Sequence, residues 1–222
     1  MRQQDTLEAQ LVAWCHQVYR AGYTPGRSGN ASCREGHSEL LITPSGYCLG
    51  EMTEESVVRV MPDGRSSQPD KKPSMELPMH QAVYAERPDI GAIIHAHPTK
   101  ATALAVSGHS LDFHIIPELS LSLGAVPLVG YYLPGTRALA DAVGHAFKNS
   151  QAILLANHGV VVAGDTLKEA FYNLQLLESF AEIYLLSQML GGVQKLSPDQ
   201  VAAIMALQPG ISHERQRQNL PV

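Results

Sequence analysis

The chain has 222 residues, 45% hydrophobic and 17% charged, with a formal net charge of −5. That length suits one domain with a sizeable core, read here as 1–207, followed by a polar tail at 208–222. The composition is that of a water-soluble protein; the acidic balance speaks against nucleic acid as a partner, and no apolar run reaches the roughly 18 to 20 residues that cross a bilayer.

The opening Met1-Arg2-Gln3-Gln4-Asp5 lacks the apolar core of a signal peptide. Cys15, Cys33 and Cys48 are an odd number without CxxC spacing, which fits a reducing cytoplasm. Leu7, Leu11, Trp14, Cys15, Val18 and Tyr19 recur at helical spacing and predict a helix over 6–21, with Gly22 as its stop. Residues 24–32 are turn-rich. Residues 39–43 read as a strand that ends at Pro44-Ser45-Gly46, and 56–61 as another before Pro62-Asp63-Gly64. A polar loop over 65–73 precedes Ser74, which stands at the N-cap position of a helix over 75–86.

Residues 89–94 read as a strand, 100–106 as a short helix and 137–148 as a longer one. Residues 152–156 form a buried-type strand whose hairpin mate is 160–163, across Asn157-His158-Gly159. Thr166-x-x-Glu169 is a capping box that opens the longest helix, and Gly191-Gly192 closes it. Helices cluster instead of following every strand, so the expected fold is α/β with a mixed or largely antiparallel sheet. Neither GxGxxG nor GxxxxGK[ST] is present to suggest a nucleotide.

The metal-ligand candidates are Glu76, His95, His97 and His158. Residues i and i+2 of an extended chain project to one face, so His95 and His97 can meet a single ion. A third imidazole from His158 would leave one position open, as in catalytic zinc sites. The other histidines (His16, His37, His80, His109, His114, His145 and His213) have no partner at ligand spacing and read as structural. Three small-residue turns, at Gly29-Asn30, Ser45-Gly46 and Ser74-Met75, offer hydroxyl and backbone N–H groups suited to an anion.

Gly29-Asn30-x-Ser32, Thr43-Pro44-Ser45-Gly46, Pro73-Ser74-x-Glu76, His80, His95-Ala96-His97 and Asn157-His158-Gly159 together resemble the class II aldolase/adducin family, and in particular its L-fuculose-1-phosphate aldolase branch. The resemblance runs from about Leu7 to Leu190. It implies a three-layer α/β/α fold with a central, largely antiparallel sheet, assembled as a homotetramer in the cytoplasm. It also implies zinc, or manganese or cobalt in its place, on His95, His97 and His158. Glu76 would be the acid/base and a metal ligand when substrate is absent. Gly29, Asn30, Ser45, Gly46, Ser74 and Met75 would hold the phosphate of a sugar phosphate.

Met75 stands where the fuculose pattern has a second serine. No aromatic residue follows Ile116-Pro117 closely, and the tail supplies no tyrosine. The implied activity is aldol cleavage of a ketose 1-phosphate of the 5-deoxyribulose, 5-methylthioribulose or fuculose type to dihydroxyacetone phosphate. The alternatives within the fold are a methylthioribulose-1-phosphate dehydratase and a sugar-acid phosphate decarboxylase. A 4-epimerase is disfavoured because its pattern has aspartate at Glu76. A non-catalytic, adducin-like binding domain is disfavoured because the histidines are retained.

Overall fold

Alternation along the strands divides the core in two. On β4 (Ala92–Ala96), Ala92, Ile94 and Ala96 belong to one cluster of buried side chains and Ile93 to another. The same alternation separates Val160 and Val162 from Val161 and Ala163 on β7 (Gly159–Gly164), and Leu154 from Ile153 and Leu155 on β6 (Ala152–Leu155). A sheet buried on both faces needs a helical layer on each side. The computed structural model describes residues 6–36, 39–111 and 114–206; His37, His213 and the tail from Gln208 lie outside the described residues.

One layer holds α1 (Leu7–Arg20), α3 (Thr99–Val106) and α6 (Leu167–Met189); the other holds α2 (Leu77–Glu86) and α5 (Arg137–Phe147). Between them lies a seven-stranded sheet in the order β3-β2-β1-β4-β7-β6-β5. β1 is Asn30–Glu35, β2 Glu39–Ile42, β3 Val58–Val60 and β5 Leu128–Val129. Every neighbouring pair is antiparallel except β5–β6. The expected three-layer α/β/α architecture with a largely antiparallel sheet is therefore present. Fully buried side chains such as Phe147, Ile153 and Leu174 each contribute about 1.5–3 kcal/mol to holding the layers together. No helix among the described residues is long and apolar enough to cross a membrane.

Several boundaries move, each for a local reason. Asn30 to Glu35 is a strand at the middle of the sheet although its polar start reads as a turn; pairing on both sides, with β2 and β4, overrides weak propensity. The strand expected over 89–94 lies at Ala92–Ala96, so His95 is inside it. The helix expected from Met75 begins at Leu77, with Glu76 at the cap and Pro78 in the first turn. Ser74 thus precedes the cap, and its hydroxyl accepts from the Glu76 N–H at 3.2 Å. Two short helices, α4 (Pro117–Ser122) and α7 (Pro198–Ala206), lie in segments with no strong periodic signal. The Asn157-His158-Gly159 hairpin is formed as expected, by β6 and β7.

Candidate active site

Glu76, His80 and Tyr84 follow one another at intervals of four along α2 and its cap, so they line one side of that helix. Asn30 and Ser32, two apart on β1, share the sheet face turned toward it. Asn30 lies directly across from His95 in the β1–β4 pairing. The layer interface thereby brings a carboxylate from a helix cap against an amide and an imidazole from adjacent strands.

Three imidazoles meet at this point. His95 is in β4; His97 follows it, its backbone N–H bonded to the Tyr23 carbonyl at 2.8 Å. His158 sits in the β6–β7 turn, where Asn157 adopts a left-handed φ of 55°, a conformation that asparagine tolerates well. One ligand atom from each of the three lies within 4.8 Å of the others. Gly159 makes the approach possible: a Cβ there would fall 2.4 Å from His97 Cδ2 and 2.6 Å from the Ala96 carbonyl oxygen.

The donor set fits a divalent cation. His95 Nδ1 lies 2.9 Å from the Val160 carbonyl, which only accepts, so Nδ1 carries the hydrogen and Nε2 faces the cluster as a lone pair. That lone pair lies 3.2 Å from Glu76 Oε2, with two acceptors facing each other. A cation between them turns the repulsion into attraction. His158 Nε2 is 3.5 Å from Glu76 Oε1, and Glu76 Oε1 and His158 Nδ1 are buried without a hydrogen-bond partner among the described residues.

Burial, reinforced by the neighbouring imidazoles, pushes both His97 and His158 down to about 4. Both are then neutral at physiological pH, the form that ligates metal. Burial works to raise the Glu76 carboxyl, but the pull of His95 in its protonated form, the Asn30 amide and the pull of protonated His158 outweigh it and hold Glu76 below the usual carboxylate range.

The three small-residue turns converge, which sequence order alone does not reveal. Thr43 joins them: its Oγ1 accepts from Ala31 N at 3.2 Å, its N–H reaches Ala31 O at 3.0 Å and its carbonyl accepts from Ser74 N at 3.0 Å. Ser45 N bonds Lys72 O at 3.0 Å, continuing the antiparallel Pro44–Pro73 bridge that sets Thr43 opposite Ser74 and Ser45 opposite Lys72. Among the described residues, the N–H groups of Gly46 and Met75 take no backbone carbonyl. Ser45 also borders a cleft of about 540 Å³ lined by Tyr47, Lys71 and Lys72. Gly29, with φ of 73°, packs against β4: a Cβ there would lie 2.7 Å from the His95 carbonyl oxygen. Asn30, expected at the phosphate, has both ends of its amide engaged elsewhere, Nδ2 with Glu76 at 2.9 Å and Oδ1 with His80 at 2.6 Å.

Two residues of this site belong to the motifs that carry the family resemblance but have no role assigned from the sequence: Thr43, in a turn motif, and His80, without a partner at ligand spacing. The distance of four between Glu76 and His80 is the signal that points to a shared site.

Residues 9–185 match the model of the class II aldolase and adducin N-terminal domain. The chain belongs to this family. As a class II aldolase-type domain it is similar to 3-oxo-tetronate 4-phosphate decarboxylase of Escherichia coli strain K12, with 35% identity over 81% of this chain and 86% of the relative. It is similar also to the 5-methylthioribulose-1-phosphate/5-deoxyribulose-1-phosphate aldolase of Escherichia coli O45:K1, with 32% identity over 81% of this chain and 83% of that protein. A solved L-fuculose 1-phosphate aldolase superposes with a TM-score of 0.85 at 30% identity, covering 93% of this chain and 97% of that one. Membership, together with a histidine cluster able to hold a metal ion, supports a metal-dependent enzyme of class II aldolase type.

Proposed function

We propose that this protein is a metal-dependent carbon–carbon lyase that releases dihydroxyacetone phosphate, by aldol cleavage of a ketose 1-phosphate. The observation that carries the reading is the Glu76 carboxylate set 3.2 Å from His95 and 3.5 Å from His158, one acid/base group against a three-imidazole donor set. His95, His97 and His158 would hold zinc, or manganese or cobalt in its place, and Glu76 would join them when no substrate is present. The bound cation supplies Lewis-acid polarisation of the substrate carbonyl.

The chain's own residues divide the remaining work. Gly29, Ser45, Gly46, Ser74 and Met75 seat the phosphate through N–H and hydroxyl groups, beside Asn30, whose side chain serves Glu76. Asn30 holds Oε2, which leaves Oε1, the oxygen without a hydrogen bond, for the proton transfer. The C4 hydroxyl loses its proton as the C3–C4 bond breaks and the aldehyde leaves, and Glu76 delivers a proton to C3 of the three-carbon fragment; in synthesis it removes that proton from C3, and the C4 oxygen takes one up. The homotetramer and the cytoplasmic location belong to the same reading. The superposition with L-fuculose 1-phosphate aldolase supports aldehyde as the leaving group.

A second reading, decarboxylation of a phosphorylated 3-oxo sugar acid, has its own support. The decarboxylase relative is 35% identical and the methylthioribulose-type aldolase 32%. Loss of CO₂ also needs one proton transfer where aldol cleavage needs two, and Glu76 is the single carboxylate at the cluster among the described residues.

The test is a coupled assay for dihydroxyacetone phosphate on zinc-loaded protein. Its substrates are fuculose, ribulose, 5-deoxyribulose and 5-methylthioribulose 1-phosphates and 3-oxo-tetronate 4-phosphate. Aldehyde with dihydroxyacetone phosphate establishes the aldolase, and CO₂ with it the decarboxylase. Water loss without it means a dehydratase. No turnover with metal bound overturns the proposal.

A further inference from the structure

Four hydrogen bonds run in line from the phenol of Tyr84 to the carboxylate of Glu76, and donor chemistry sets their direction. Asn30 Nδ2, which only donates, lies 2.9 Å from Glu76 Oε2. That leaves Oδ1, which only accepts, 2.6 Å from His80 Nε2, so His80 carries its hydrogen on Nε2. The Nδ1 of the same imidazole then accepts from the Ser32 hydroxyl at 2.7 Å, and the Ser32 oxygen takes the Tyr84 O–H at 2.9 Å. Every member is buried, with His80 and Ser32 at 0% exposure. The guanidinium of Arg34 holds the far end, 4.5 Å over the Tyr84 ring and bonded to its carbonyl.

We propose that His80, Ser32 and Tyr84 are positioning residues for Glu76: they lock the Asn30 amide with its NH₂ toward the carboxylate, so that Oε2 is held and Oε1 stays free. The proposal rests on Glu76 being the acid/base. A flipped Asn30 would set Oδ1 against Oε2 and NH₂ against the His80 N–H, two mismatches at once. Tyr84 makes the lock complete: its O–H donates to the Ser32 oxygen, which turns the Ser32 hydroxyl onto Nδ1 and leaves the imidazole hydrogen on Nε2. Without that N–H, the flip meets resistance at one end only. A polar line of this kind acts through orientation and not through proton transfer, because an amide in the middle does not pass a proton on.

The lock is tested with full-length protein by two independent measurements. Long-range ¹H–¹⁵N NMR of the imidazole rings is expected to show His80 as the Nε2–H tautomer in the wild type and as a mixture in Ser32→Ala. An Nδ1–H tautomer in the wild type overturns the proposal, whatever the substrate. The second measurement compares His80→Gln, which keeps a donor near Asn30, with His80→Phe, which does not. Cobalt-loaded His80→Phe is expected to show a changed visible spectrum, as is Glu76→Gln, while His80→Gln is expected to resemble the wild type.

With whichever substrate is turned over, His80→Phe is expected to lose between about tenfold and about a hundredfold in kcat at unchanged KM and metal content. His80→Gln is expected to recover most of that loss. Wild-type spectrum and kcat in folded His80→Phe overturn the lock, as does equal loss in both variants with loss of bound metal, which would mark a packing role. If the wild type turns over nothing while the tautomer and the spectral pattern are as expected, the lock stands and the lyase reading fails.

Discussion

Asn30 and His95 face each other across the β1–β4 pair and converge on the same oxygen of Glu76, at 2.9 Å from Nδ2 and 3.2 Å from Nε2. One contact attracts and the other, between two lone pairs, repels until a positive charge lies between them. The site is therefore assembled for a cation by the sheet register itself. One residue of slip in either strand would turn its side chain to the opposite face and separate the pair.

Metal content should report this directly. The purified protein is expected to carry about one equivalent of divalent metal and His95→Ala far less, by elemental analysis. The variant also removes the hydrogen bond to the Val160 carbonyl, which costs about 0.5–1.5 kcal/mol of stability. Chelation of the wild type should lower its Tm and abolish turnover, and returned zinc should restore both.

Gly159→Ala should damage the site without touching a ligand. Its Cβ would fall 2.4 Å from His97 Cδ2 and 2.6 Å from the Ala96 carbonyl oxygen, so the ring or β4 has to move. We expect a stability loss of about 1–3 kcal/mol by denaturant titration, with weakened metal affinity. Wild-type metal affinity in this variant would show that His97 has room the geometry denies it.

Asn30→Ala removes a hydrogen bond that favours the charged form of Glu76. The carboxyl pKa should then rise, and the acidic limb of the kcat profile should move to higher pH. The measurement is a pH–rate profile of both proteins on the same substrate. A limb that stays in place, or moves down, would mean that the amide does not govern Glu76.

His80 should make stability depend on pH. Burial pushes its pKa down to about 3, against 6.5 for the ordinary imidazole, so the unfolded chain binds the extra proton in the window between them. Stability is thus present above pH 6.5 and falls as the pH drops toward 3. Between pH 7.5 and pH 5, wild type should lose about 2 kcal/mol more than His80→Gln in denaturant titrations of the metal-free proteins. Equal losses would show His80 to be accessible to protons.

How much of this was legible in the sequence depended on the range of the pattern. The α6 stripe, the capping box at Thr166 and the 157–159 hairpin are local signals, and each marks the element that is present. The histidine trio that the structure brings together was legible because His95 and His97 sit two apart and His158 occupies a recognisable turn. β1 was not, because Asn30, Ala31 and Ser32 have little strand propensity and owe their conformation to neighbours distant in sequence. His80 was missed for a related reason. Its partners lie on β1, about fifty residues earlier, and only the packing of a helix on a strand brings spacings of four and two into register.

Thr43 ties β1 to the segment that leads into Glu76 through three hydrogen bonds, and Ser74 is bonded to Glu76 itself. The proposed anion seat and the proposed acid/base group consequently move as one piece, and the span between them is a fixed length. A molecule seated there is measured by the number of bonds between its phosphorus and its reacting carbon. Homologues one carbon longer or shorter would arrive out of register and pass unreacted, however well the rest of them fits, while the distal end of the substrate is free to vary.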